Sequence, residues 1–130
     1  MKVRFPDPMR ATLAVLRPAH PGVTFGTKLP DEFAAGDGPA LPYGCVRTDA
    51  TKVRYPVEAT STVRVTVWAQ SEAAGVELAG DILATLLGYE GGPDARGFGH
   101  LTGPLPAADP DTGRPICSTT VAARLRPYIT

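Results

Sequence analysis

The chain is 130 residues long, with 43% hydrophobic and 20% charged residues, a mixture that fits one soluble domain with a single core and excludes a disordered tail or a comfortable division into two domains. Thirteen basic residues balance thirteen acidic ones, so no net field is available to hold a phosphate backbone, and sequence-specific nucleic-acid binding is not expected. No run reaches the roughly 20 apolar residues of a membrane span, and the start has no apolar stretch of signal-peptide length; no membrane partner is expected, and synthesis in the cytoplasm is.

Asp7 opens a first, short helix. Met9, Ala11, Leu13 and Leu16 recur at helical spacing, Asp7 can cap the free amides, and Pro18 and Pro21 are expected to stop the helix. At about three turns it is stable only with its Leu13 and Leu16 side against a sheet. After Pro21-Gly22, residues 23–28 read as a strand with Val23 and Phe25 on one face. A stretch rich in proline, glycine and alanine, 29–42, then interrupts all periodicity and is either an ordered excursion or a loop. Tyr43–Val46 and Lys52–Val57 are separate strand candidates, the second pushed to an edge or to its end by Pro56.

The clearest pair of elements follows. From Thr62 to Ala69 the chain alternates strictly, Val63, Val65, Val67 and Ala69 on one face and Arg64, Thr66 and Trp68 on the other, as a half-buried strand does. Ser71-Glu72 then supplies a hydroxyl cap and a first-turn carboxylate for a helix over 71–87. Val76, Ala79, Ile82, Leu83 and Leu86 trace its apolar stripe, Glu77, Asp81 and Thr85 line the opposite side, and Gly88 is expected to end it in the left-handed conformation. Burying each large aliphatic side chain stabilises by about 1.5–3 kcal/mol, so this helix is the expected main cover of the sheet. Phe98–Leu105 and Ile116–Arg126 read as a long hairpin whose connection, 106–115, holds the turn sequence Asp109-Pro110-Asp111-Thr112-Gly113. The expected fold is therefore α+β: an antiparallel or mixed sheet of about four to five strands, one main covering helix, a short N-terminal helix and a C-terminal hairpin, in one domain spanning 1–130.

Motifs that carry chemistry are scarce. A Gly-x-Ser-x-Gly nucleophile turn is absent, and the glycines at 91, 92, 97, 99 and 103 do not lead into a helix as a phosphate cradle would. His20 and His100 are isolated, and the turn at 109–113 departs from a calcium loop in the place of its glycine and in lacking a distal glutamate. Cys45 and Cys117 lie far apart, outside any C-x-x-C pattern, and read as reduced, buried strand residues. No enzymatic activity, metal or cofactor is expected. Arg64 and Trp68 project from one strand face and Arg124 and Arg126 from the last strand, giving a possible basic and aromatic strip on the side away from the main helix; Trp68 could equally join a small second core beneath the first helix. With the hairpin-tip residues Asp109, Asp111 and Arg114, these are the candidate interface residues.

The order of a short N-terminal helix, a proline-rich loop, the strand Val63-Arg64-Val65-Thr66-Val67-Trp68-Ala69, the helix Ser71 to Leu87 and a hairpin ending in Val121-Ala122-Ala123-Arg124-Leu125-Arg126-Pro127 resembles the tail-terminator, or tail-completion, proteins of long-tailed bacteriophages, particularly those of high-GC actinobacterial hosts. The resemblance runs over nearly the whole chain and is strongest from Thr62 to Leu87. It implies a virion protein of the tail neck region, assembled in the host cytoplasm, whose copies close into a ring, commonly a hexamer. The ring would cap the tail tube, end its polymerisation and face the head-tail connector protein, so the implied partners are the chain itself, the tail-tube protein and the connector. The family brings no catalytic residues to transfer. A ring of one chain needs heterologous contacts, for which strand edges and the hairpin are suitable. Another neck component, a head-closure or connector-adaptor protein, is the alternative, and a small-ligand-binding α+β domain with a pocket near His100 and Cys45 a more distant one.

Overall fold

A computed structural model describes residues 2–29 and 40–130. The elements in chain order are β1 (Val3–Arg4), α1 (Pro8–Ala19), β2 (Thr24–Gly26), β3 (Tyr43–Arg54), β4 (Glu58–Trp68), α2 (Glu72–Leu87), β5 (Ala95–Ala108), β6 (Pro115–Leu125) and β7 (Tyr128–Ile129). Among the described residues β2, β3, β4, β6 and β5 form, in that spatial order, one five-stranded sheet, while β1 and β7 pair as a separate two-stranded ribbon. Only the β2–β3 pairing is parallel, so the main sheet is mixed, and the α+β architecture is the one expected. The long excursion at 29–42 lies largely outside the described residues.

Both helices cover the same face of the sheet. Leu13 and Leu16 of α1, Ile82 and Leu86 of α2, and Val46, Val63, Val65, Val67, Val121 and Leu125 of the strands share one buried cluster. That packing is what fixes α1, which at 12 residues is too short to persist alone. Asp7 caps it as expected, its carboxylate accepting from the Met9 amide at 3.0 Å. Pro18, however, does not stop it: the helix runs on to Ala19 and His20 caps it by donating its amide to the Leu16 carbonyl. A proline in the last turn forfeits a single bond, to the Ala14 carbonyl, and both Ala14 and Pro18 are exposed to water.

In α2 the Ser71 cap is realised, its hydroxyl accepting from the Ala74 amide at 3.1 Å. The buried stripe is Gly75, Ala79, Ile82 and Leu86, so Val76, at 39% exposure, lies off it and Leu83 only at its margin. Gly75 takes an inward position at the start of the helix, where a Cβ would make ordinary contacts, 3.6 Å from that of Ala69 and 3.9 Å from that of Cys117. The expected left-handed stop is also corrected. Gly88 ends the helix in the right-handed region, at φ −82° and ψ −4°, and its missing side chain matters through crowding, since a Cβ would lie 3.0 Å from the Ala84 carbonyl.

Tyr43–Val46 and the Lys52–Arg54 part of the second candidate belong to a single strand, β3, which leaves Tyr55, Pro56 and Val57 in the turn to β4. A register shift between Thr48 and Ala50 hides its continuity. Before that bulge Gly44 and Val46 pair with Val67 and Val65 on the helix side; beyond it the odd residues Thr51 and Val53 pair with Ser61 and Ala59. The period of two is broken in the middle of the strand. The C-terminal hairpin is present and longer than expected, with a connection of only residues 109–114, and β5 adapts to its glycines and prolines by three register shifts against β6.

Candidate functional site

The hairpin tip is built around Asp109. Its Oδ2 accepts from the Trp68 indole Nε1 at 3.0 Å and from the Thr112 hydroxyl at 2.9 Å, and its Oδ1 accepts from the Asp111 amide at 3.0 Å. The turn is closed by backbone bonds from Gly113 to the Asp109 carbonyl and from Asp109 to the Arg114 carbonyl, with Gly113 at φ +72°, where glycine is favoured. The Trp68 bond, followed by the Asp111 amide, holds the Asp109 carboxyl below its ordinary value against the opposing effect of burial. Trp68 itself is buried with Tyr43 and Cys45, flanked by Leu41 and Ile116. This is the second small core, but it lies on the sheet face away from both helices, not beneath α1.

The candidate interface residues therefore separate. Arg64, Trp68 and Arg124 share the uncovered sheet face, Arg64 opposite Thr120, Trp68 opposite Ile116 and Arg124 opposite Thr60. Arg64 is exposed and bonded to Asp49 at 2.9 Å, and Arg124 is exposed with no ion pair among the described residues. Asp111 and Arg114 are exposed in the hairpin turn. Asp109 is buried and committed to Trp68. Arg126 lies beyond β6, half-buried, and donates from Nε to the Gly92 carbonyl at 2.7 Å, tying down the segment between α2 and β5.

Sequence inspection missed the rest of this face. Cross-strand pairing places Lys52, Thr60, Arg124 and Gly97 in one row, Ala50, Thr62, Ala122 and Gly99 in the next, and Arg47, Arg64, Thr120 and Thr102 in a third. The face is thus a floor of small residues with Arg47 and Lys52 on β3 and Arg64 and Arg124 on the interior strands β4 and β6. Lys52 and Arg47 belong to it together only because of the bulge in β3; counted by simple alternation they would fall on opposite sides. The edges are open as well: β2 pairs only with Tyr43–Cys45, so among the described residues the outer side of β3 beyond Cys45 has no strand partner. Near that end Val53, Tyr55, Val57, Tyr128 and Ile129 are exposed, and the Val3 amide donates to the Tyr55 hydroxyl at 3.3 Å.

Groups that could support chemistry do not converge. Cys45 is on β3 and His100 on β5, with β4 and β6 between them, so they share no pocket. His100 meets the Gly103 carbonyl through Nε2 at 2.8 Å, and His20 meets the Thr85 hydroxyl at 2.8 Å, linking the end of α1 to α2. Both cysteines are buried and free, as expected; burial, then the nearby Glu72 charge, pushes the Cys117 thiol up. A shallow groove of about 290 Å³ beside α1 is lined by Asp7, Arg10, Leu13, Arg17 and Thr27 among others, with Arg17 donating to the Phe25 carbonyl. Among the described residues there is no group of three His, Cys, Asp or Glu side chains placed to hold a metal ion, and no helix is long and apolar enough to cross a membrane. Compared with models of known protein families and with curated proteins, the chain matches none.

Proposed function

We propose that this chain is a structural virion protein that caps a phage tail tube, ends its polymerisation and forms part of the head-tail joining interface, acting as a ring of identical copies. The observation that carries the proposal is the one-sided construction of the sheet. Two helices cover one face, while no helix packs on the other among the described residues and β3 from Thr48 to Arg54 has no strand on its outer side there. Such surfaces suit docking between copies, since unpaired edge groups and an uncovered layer both gain from a neighbour. The order of elements that resembles tail-terminator proteins supports the same reading, with the tail-tube and connector proteins as further partners.

Electron microscopy of tails assembled with and without the gene tests it. A terminator's absence gives tubes of excessive and variable length. Tails of normal length that fail to join heads would instead identify a head-closure or connector-adaptor protein and remove the terminator reading.

A further inference from the structure

The balanced net charge conceals a division between two surfaces. By cross-strand register Arg47, Lys52, Arg54, Arg64 and Arg124 belong to the uncovered sheet face, and among the described residues the carboxylates beside them are Asp49, bonded to Arg64, and Glu58, 4.0 Å from Arg96. Across the layer α2 carries the opposite sign. From residue 65 to 95 the sequence holds no lysine or arginine, while Glu72, Glu77, Asp81, Glu90 and Asp94 fall within it. Glu72, Glu77 and Asp81 are exposed, and none has an ion pair among the described residues. Directly opposite the buried stripe, α2 presents Ala73, Glu77, Gly80 and Ala84, small residues around a carboxylate, flanked by Val76 and Leu87 at 39% and 46% exposure.

We infer that these two surfaces bind each other in successive copies: the basic sheet face of one subunit receives the acidic outer face of α2 of the next. The inference rests on the ring reading above and names the contact that would build the ring. Shape agrees with it. The floor of Ala50, Thr60, Thr62, Gly99, Thr120 and Ala122 is low enough for a helix bearing alanine and glycine to approach, with the Arg124 guanidinium lying over Gly97 beside it. On the outer side of α2 the carboxylates are Glu77 and Asp81, about 6 Å apart along the axis, whereas Glu72 lies half a revolution from Asp81 and near Cys117 of the sheet. Because the two surfaces lie on opposite sides of one layer, the contact is heterologous, and repeating it produces a ring if the rotation closes and a filament if it does not. Charge complementarity of this kind also fixes orientation, since two like faces repel.

Charge reversal tests the contact. One variant carries Lys52→Glu with Arg124→Glu, a second Glu77→Lys with Asp81→Lys, and a third all four changes; circular dichroism establishes that each is folded. Sedimentation velocity at low salt is expected to show oligomers of the wild-type chain that weaken on adding salt. Each two-residue variant alone should self-associate at least about tenfold more weakly. The four-residue variant should recover association, and so should an equimolar mixture of the two-residue variants, because each then offers the surface the other needs. A wild-type chain that remains monomeric at low salt, two-residue variants that assemble as the wild type does, or a mixture without recovery overturns the contact. Tail length in the gene's absence is judged separately. Overlong tails together with assembly unaffected by the reversals would leave the terminator reading standing and remove this contact alone.

Discussion

Replacing Asp109 by alanine removes the acceptor for three hydrogen bonds and leaves the Trp68 indole N–H buried without its partner. A hydrogen bond to a charged group contributes about 1.5–3 kcal/mol, and orphaning a buried donor costs about 1–3 kcal/mol, terms that overlap because both describe the same loss. With the turn bonds partly replaced by water, Asp109→Ala is expected to destabilise by about 3 kcal/mol. For a domain of this size that corresponds to a fall in Tm of about 10 °C. Trp68 is the sole tryptophan, so its fluorescence reports the site directly in a denaturant titration. Trp68→Phe deletes the donor while keeping an aromatic ring against Tyr43, and the double-mutant cycle with Asp109→Ala should give a coupling of about 1–2 kcal/mol. Additive single effects, or an Asp109→Ala protein within about 0.5 kcal/mol of the wild type, would refute the assignment of this bond as the anchor of the hairpin tip. The pH dependence has a definite sign. The folded-state carboxyl is held below its ordinary value of 3.8, so its contribution is present above that value and is lost as pH falls through the lower folded one. Asp109→Asn should flatten that part of the acid-unfolding curve.

Thr119 is 2% exposed in the core with its hydroxyl unpartnered among the described residues, so Thr119→Val should be neutral or stabilising, by up to about 1 kcal/mol in urea unfolding; clear destabilisation would mean that the hydroxyl has a partner. The position of the α2 stripe is tested by a pair of truncations: Ile82→Ala, at a fully buried site, should lose about 2–5 kcal/mol, whereas Val76→Ala, at an exposed one, should stay within about 0.5 kcal/mol. Both cysteines should resist a thiol reagent in the native protein and react after denaturation, since burial withholds them from reagent and raises the Cys117 pKa; fast native labelling at either would contradict the packing of β3 and β6.

Local signals in the sequence were sufficient wherever one residue type has one physical use. Asp7 and Ser71 cap helices because their side-chain oxygens meet free amides, and the valines at 63, 65 and 67 face the helices because strict alternation sorts one side of a strand into the core. The turn at 109–113 was legible from its aspartate, proline and glycine, as were the two cysteines as buried strand residues. Elements whose limits depend on partners were not. Pro18 is accommodated in a last turn that the sheet holds in place, and Val76 falls off the buried stripe because packing sets the rotation of α2 about its axis.

By itself, then, the sequence determined the capped helices, the alternating strand, the hairpin and the α+β class, because these follow from hydrogen-bonding and burial over a few neighbouring residues. Only the tertiary structure decided that β3 is continuous through its bulge, that Asp109 serves Trp68, and that five cations spread between Arg47 and Arg124 belong to one sheet face opposite an acidic helix. Such relations are invisible along the chain because strand pairing brings together residues far apart in sequence, such as Ala59 and Leu125, and a single inserted residue exchanges the faces of everything beyond it.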